Sequence, residues 1–194
     1  DALGLKNRSV LIPKSGVIKK LTTYVPKNEV IAVRESLFAA GAGNIGNYEQ
    51  CSFSTKGKGT FKGNEQSNPT VGKAGELQIE KEVQLNVTFE ARLQSSILKA
   101  LFNAHSYEEV AYEITTLDNT NQNIGMGMLG ELETPQDERS FLENVKKVFD
   151  AQGIRHSALR DKPVQKVAVL GGSGSFAIGA AMASGADALI TADL

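Results

Sequence analysis

A run of five small residues, Gly171-Gly172-Ser173-Gly174-Ser175, follows an apolar stretch and precedes a helical pattern. In that setting backbone N–H groups and a helix N-terminus can hold an anion. The run lacks the lysine of a P-loop and does not fit GxGxxG, so a tight turn whose glycines allow close packing is the competing reading. Asp193 ends the last apolar stretch, Ala188-Leu189-Ile190-Thr191-Ala192. Sites in open α/β sheets collect at such strand ends. Asp193 can stand behind the direct ligands of a metal there, or cap the following turn. His105, Glu108 and Glu109 form a second cluster, able in principle to bind a metal or move a proton. A histidine near a helix C-terminus is also favourable without any function, and glutamates can simply be solvated. Lys56, Lys58, Lys62 and Lys73 punctuate a glycine-rich stretch that can contact a partner or stay solvated. Cys51 has no base or second cysteine near it in sequence and reads as a small buried apolar residue. His156, between Arg155 and Arg160, reads as surface. No catalytic residue and no metal-ligand set is assigned from these residues.

The elements that must position these groups follow from periodicity. Residues 17–25 are β-branched and suit a strand ended by Pro26. Asn28 can cap a helix whose apolar face is Val30, Val33, Leu37 and Phe38, stopped by Gly41 and Gly43. Residues 48–55 suggest a strand. Residues 77–87 alternate clearly, with Leu77, Ile79, Lys81, Val83, Leu85 and Val87 on one side. Leu93, Ile97, Leu101 and Ala104 mark a helix face, and residues 110–117 a fourth strand. The order is βαββαβ over about residues 17–117, the ferredoxin-like arrangement. Residues 56–76 are predicted as a mobile loop. Beyond a polar connector at 118–124, a short strand is predicted near residues 127–132. Thr134-Pro135 is predicted to open a helix, with Asp137 favouring its N-terminus. Phe141, Val145, Val148 and Phe149 form its buried face. A strand at 166–170, a helix at 176–184 and a strand at 188–191 then imply a parallel α/β layer. The fold class is therefore α+β, a ferredoxin-like unit over about 17–117 followed by a parallel α/β layer.

At 194 residues the chain can form one large domain or two small ones. A formal charge of -1 argues against general nucleic-acid binding. No apolar run is long enough to cross a bilayer, and one cysteine and two histidines exclude a disulfide framework and a histidine-rich metal site. A reducing, cytoplasmic location fits this composition. The chain opens without an initiator Met and closes on a strand that normally needs covering elements, which predicts a piece of a longer protein.

Three segments carry a family resemblance. They are Leu37-Phe38-Ala39-Ala40-Gly41-Ala42-Gly43-Asn44-Ile45-Gly46-Asn47-Tyr48 with Cys51-Ser52-Phe53 and Gly57-Lys58-Gly59-Thr60-Phe61; His105-Ser106-Tyr107-Glu108-Glu109-Val110-Ala111-Tyr112; and Val167 to Ser175 with Ile190-Thr191-Ala192-Asp193. In this order the chain resembles the GTP cyclohydrolase 1 type 2 homologues, the Ngg-one-interacting-factor-three-like family. The resemblance implies an α/β core with a paired divalent-metal site and an inserted domain like PII and CutA proteins: here a ferredoxin-like insert, 17–117, flanked by parts of an α/β core, 1–16 and 118–194. It also implies a homo-oligomer, trimer or hexamer. The family's ligands, a paired-histidine motif and an aspartate early and a histidine and glutamate late, are absent from this sequence. Ser106 replaces the usual proline after His105, and Ala192 the usual glycine before Asp193.

Two functions follow as expectations. One is a metal-dependent hydrolase acting on a nucleotide-like or other small substrate, because paired metals activate water and stabilise developing charge. The other is an oligomeric regulatory or ligand-binding scaffold that uses the insert. Residues 1–194 alone are expected to hold no metal tightly and to be inactive.

Overall fold

The computed structural model describes residues 2–67, 70 and 72–193. Residues 68, 69 and 71 of the expected 56–76 loop, and residues 1 and 194 at the two ends, lie outside the described residues. The chain divides into two units, 15–120 and the combination of 1–14 with 121–194.

The unit of residues 15–120 has strands β2 (Ile18–Pro26), β3 (Phe53–Lys62), β4 (Leu77–Glu90) and β5 (Tyr112–Leu117), with helices α1 (Val30–Ala39) and α2 (Gln94–Ala104). The sheet order β3-β4-β2-β5, antiparallel throughout, is the ferredoxin-like order. Strand alternation sends Leu21, Val25, Leu85, Val87 and Phe89 to one face. There they bury against Val33 and Leu37 of α1 and Ile97 and Leu101 of α2. Polar residues such as Thr22 and Asn86 occupy the other face and hydrogen-bond across the strands at 2.8 Å.

Two features of this unit differ most from expectation. The second strand begins at Phe53 rather than residue 48 and runs to Lys62, pairing with β4 from Phe53↔Asn86 to Lys62↔Leu77. The first third of the expected loop is therefore ribbon, and the connection shrinks to 63–76. Both faces of this ribbon are exposed over much of its length, so no apolar alternation is needed to form it. Glu29, not Asn28, is the N-cap of α1, and its side chain makes no capping bond. The chain enters that helix through a turn in which Glu29 N–H donates to Pro26 O at 2.9 Å. Gly41 does end α1. Gly41 N–H donates to Phe38 O at 2.9 Å and Ala42 N–H to Leu37 O at 3.0 Å, a Schellman closure that needs the left-handed φ of 101° at Gly41.

The other unit contains β1 (Lys6–Lys14), β6 (Asn121–Gln136), β7 (Val164–Ser173) and β8 (Ala188–Asp193), with helices α3 (Glu138–Val148) and α4 (Ile178–Ala183). The order is β1-β6-β7-β8, antiparallel except for the parallel β7–β8 pair. Val167 on one face packs with Phe141 and Val145 of α3. Ala168 and Leu170 on the other pack with Ala177 and Ala181. β7 is apolar on both faces because helices cover both.

β1 was not expected, and β6 is far longer than the short strand predicted at 127–132. Thr134 and Pro135 lie in β6 rather than opening a helix. The β6–β7 ladder is interrupted between Glu131 and Gln136, so Pro135 removes no regular ladder bond there. Asp137 is the N-cap of α3, accepting from Ser140 N–H at 3.1 Å. This bond holds its carboxyl below the ordinary aspartate value. Phe149 was expected to be buried but is 49% exposed, because α3 ends at Val148 and Asp150 turns the chain away with φ 49°.

Candidate functional site

The C-terminal edge of the parallel β7–β8 pair brings together Gly171 to Ser175, Thr191 and Asp193. β8 pairs in register through Leu170↔Thr191, and then Ser173 pairs with Asp193. β7 therefore carries one residue more than β8 across this interval, a bulge at Gly171-Gly172 with Gly172 at φ 80°. Gly171 to Ser173 thus belong to the strand end, and the turn itself is short. Thr191 Oγ1 donates to Gly172 O at 2.6 Å and also lies 3.1 Å from Asp193 O. Gly174 N–H donates to Asp193 O at 2.8 Å. A Cβ on Gly174 would stand 2.4 Å from Thr191 Oγ1, so glycine alone fits this position. The lock fixes the backbone of Asp193 at the mouth of the parallel pair. The guanidinium of Arg155 lies 3.9 Å from its carboxylate, an exposed pair of small energetic weight. The helix that follows, α4, has only six residues, so its N-terminus is a weak dipole.

His105 is the C-cap residue of α2 and is 7% exposed. Its two ring nitrogens are engaged: Nε2 lies 3.0 Å from Tyr24 O, and Nδ1 accepts from Tyr107 N–H at 3.1 Å. This is the neutral tautomer with hydrogen on Nε2, used to tie the end of α2 to β2. Glu108 and Glu109 are exposed and start no cluster around it. Among the described residues, no group of three or more His, Cys, Asp or Glu is placed to hold a metal ion. The neighbour of His105 with shifted chemistry is Tyr107, whose ring is tilted by 58° against the imidazole at 4.9 Å between centroids. Its hydroxyl donates to Glu82 Oε1 at 3.0 Å. Burial, then that hydrogen bond and the charges of Glu82, Glu80 and Glu29, raise its ionisation well above the ordinary tyrosine value.

The third feature is a cleft of about 560 Å³ beside α1, lined by Ile31, Arg34, Phe38, Asn44, Glu49 and Gln50 among others. The loop that walls it is pinned by Gly43, whose N–H donates to Thr88 O and whose O accepts from Cys51 N–H, both at 2.8 Å. Arg34 Nε is buried without a hydrogen-bond partner among the described residues. Cys51 is a free thiol and half-exposed rather than buried. His156 is exposed.

Sequence reasoning named Gly171 to Ser175 and Asp193, which the fold joins. It did not name Thr191 as their latch; the signal was a hydroxyl residue two positions before the terminal carboxylate. It also missed Tyr107 and Glu82, which touch through the fold across 25 residues of chain.

The chain matches the Duf34/NIF3 (NGG1p interacting factor 3) family over residues 1–194. It is 40% identical over 195 residues to a Bacillus subtilis protein named GTP cyclohydrolase 1 type 2 homolog, covering 100% of this chain and 52% of that one. The Halalkalibacterium halodurans protein of the same name is 38% identical, with 100% and 52% covered. Among solved structures, a Bacillus cereus protein related to NIF3 superposes with a TM-score of 0.81 at 41% identity, over 100% of this chain and 51% of that one. Staphylococcus aureus protein SA1388, at 23% identity and a TM-score of 0.64, shares the fold. The chain spans about half the length of the curated relatives it matches. Among the described residues no helix is long and apolar enough to cross a membrane.

Proposed function

Because this chain belongs to the Duf34/NIF3 (NGG1p interacting factor 3) family, we propose that it forms part of a dinuclear-metal, hydrolase-like protein and contributes one edge of its site. The residues of this chain do not fit the metal pair: no group of three donors is gathered among the described residues. No step is therefore routed through the metals here. What this chain supplies is the latch at the end of β7–β8. The observation that carries the reading is the pair of bonds that ties the end of β8 to the bulge, Gly174 N–H to Asp193 O and Thr191 Oγ1 to Gly172 O. It supports a reading in which the Asp193 carboxylate, at a strand end where ligands collect in parallel sheets, orients groups that bind metal or substrate directly. In this reading the solvent-exposed Gly171-Gly172 bulge is the contact for a small anionic or nucleotide-like substrate.

The test uses the full-length parent. Its metal content and hydrolysis of a nucleotide panel are measured for the wild type and for Asp193→Asn. The expected result is bound metal in both proteins, with turnover lowered roughly tenfold or more in the variant. A metal-loaded parent that turns over nothing would remove the hydrolase reading. An equally active Asp193→Asn protein would remove Asp193 from the site.

One observation favours a second role, an oligomeric scaffold. The chain at the end of β2 supports β4 only from Lys81 onward, so the ribbon of Leu77–Glu80 with Gly59–Lys62 stands beyond the sheet. It exposes Leu77 (66%) and Ile79 (62%). A bare two-stranded ribbon is marginal in water, and a further copy of the chain, in a trimer or hexamer, would cover it. Ile79→Glu should then lower the mass measured by light scattering while leaving the circular dichroism spectrum intact. An unchanged mass would count against this role. A reducing, cytoplasmic setting belongs to both readings and suits the free thiol of Cys51.

A further inference from the structure

Four lysines meet at the open end of the unit of residues 15–120. Lys27 follows β2, Lys81 lies on β4, and Lys56 and Lys58 lie on β3; together with Gly57, Glu82 and Val83 they line a groove of about 220 Å³. The register fixes their common side. Val25 pairs with Val83, Val83 with Lys56, and Lys81 with Lys58. Alternation therefore puts all four lysines on the face that carries Val25, Val83 and Leu85, at the point where helix cover ends. The sequence pattern carried the clue: Lys81 is the one charge on the apolar side of β4.

Two features separate this group from ordinary solvated lysines. First, Lys58 and Lys81 are direct cross-strand partners, and like charges placed directly opposite are unfavourable. Secondly, the single carboxylate of the groove is turned away. Glu82 belongs to the opposite face, where it accepts from the Tyr107 hydroxyl and fills the space over Gly59. Among the described residues none of the four ammonium groups has an ion-pair or hydrogen-bond partner. The charges span three adjacent strands, a width of about 10 Å. No aromatic ring lines the groove, so its selectivity is for charge density rather than for a base. Lysine serves phosphate as a compact point charge with three donors.

We infer that this groove binds an oligophosphate, either free inorganic polyphosphate or the phosphate tail of a nucleotide. The anion sits between Lys58 and Lys81 and is flanked by Lys27 and Lys56. This site is separate from the β7–β8 edge and stands whether or not the hydrolase reading does.

Calorimetric titration of the full chain with inorganic triphosphate, and separately with ATP, tests it. Saturable binding that weakens steeply with added salt is expected. Lys58→Gln and Lys81→Gln should each weaken it roughly tenfold or more. Lys20→Gln, on the other face of β2, should leave it unchanged. Equal affinity for triphosphate and ATP assigns the free oligophosphate chemistry; tighter ATP binding assigns a nucleotide. All four side chains are exposed, so the variants fold. A second readout is the melting temperature: without anion Lys81→Gln should raise it, and a fixed concentration of triphosphate should raise it less in that variant than in the wild type. Absence of saturable binding, or equal binding by wild type and both groove variants, overturns the inference.

Discussion

Replacing Gly43 by alanine should strain the loop that walls the α1 cleft, by an amount that follows from its geometry. Gly43 sits at φ 82°, and a Cβ there would lie 2.7 Å from Phe38 Cε1 and 2.9 Å from Cys51 O. The left-handed conformation costs a non-glycine residue about 1–2 kcal/mol. Crowding adds about 1–3 kcal/mol, because the carbonyl is backbone and held by the Gly43–Cys51 and Gly43–Thr88 hydrogen bonds. The lower entropy of an unfolded alanine chain returns about 0.5–1 kcal/mol. The net loss is about 1–4.5 kcal/mol, which at an m-value of about 2 kcal/mol/M lowers the urea midpoint by roughly 0.5–2 M. Gly46→Ala is the control: its φ is 57°, but nothing lies within 4 Å of the added Cβ. Conformational strain alone then costs about 1 kcal/mol. Tyrosine fluorescence is the assay, because Tyr24, Tyr48, Tyr107 and Tyr112 all fall in the unit of residues 15–120 and the chain has no tryptophan. A Gly43→Ala midpoint indistinguishable from the Gly46→Ala midpoint would refute the close-approach argument. An unchanged midpoint in both would refute the backbone argument too.

Asp150 holds a left-handed φ of 49° as the residue that closes the C-terminus of α3, so Asp150→Gly should stabilise that unit by about 0.5–1 kcal/mol in thermal unfolding. Asp137→Ala should fray the start of α3, seen as faster amide exchange at Ser140, whereas Asp137→Asn keeps an acceptor and should fray it less. The Asp137 carboxyl is held below its ordinary value of 3.8, so its contribution is full above that pH and fades as pH falls through the lowered value. Tyr107 shows the reverse sign: its ionisation is raised, so its contribution is full below the ordinary value of 10.0 and is lost progressively at higher pH. Tyr107→Phe should abolish that alkaline component of the unfolding curve and cost about 1 kcal/mol at neutral pH.

The ferredoxin-like order was legible because its core strands and helices are half-buried. Val83, Leu85 and Val87 alternate on β4, and Ile97 and Leu101 repeat at helical spacing, since each element has one covered side. β3 was legible only in part, because a ribbon exposed on both faces has no pattern to display, and its glycines and lysines look like a loop. The start of α3 was misplaced because Pro135 sits in a ladder interruption that only the β6–β7 pairing reveals. At the candidate site, the strand–turn–helix context located Gly171 to Ser175 and Asp193. The Thr191 latch stayed hidden because it depends on a bulge, and a bulge is a relation between two strands rather than a property of either. His105 showed the opposite limit. Its residue type invited chemistry, but burial and two backbone partners commit it to structure.

The pairing of Lys14 with Asn121 has a consequence for how such a chain can be assembled. β1 and β6 are antiparallel neighbours, and everything between Ser15 and Thr120 leaves and returns at adjacent points of one ladder. From the standpoint of the host sheet, a whole folded unit is the loop of a hairpin. The entropy of closing a loop grows only logarithmically, about 0.6 kcal/mol for each doubling of its length. At the other end of the excursion, Ile18 and Leu117 are themselves paired, so the guest holds its own two ends together and relieves the host of much of that cost. The joint behaves as a socket: a unit whose ends already meet can be exchanged for a short turn, or for a different guest, without redesigning the strands that receive it.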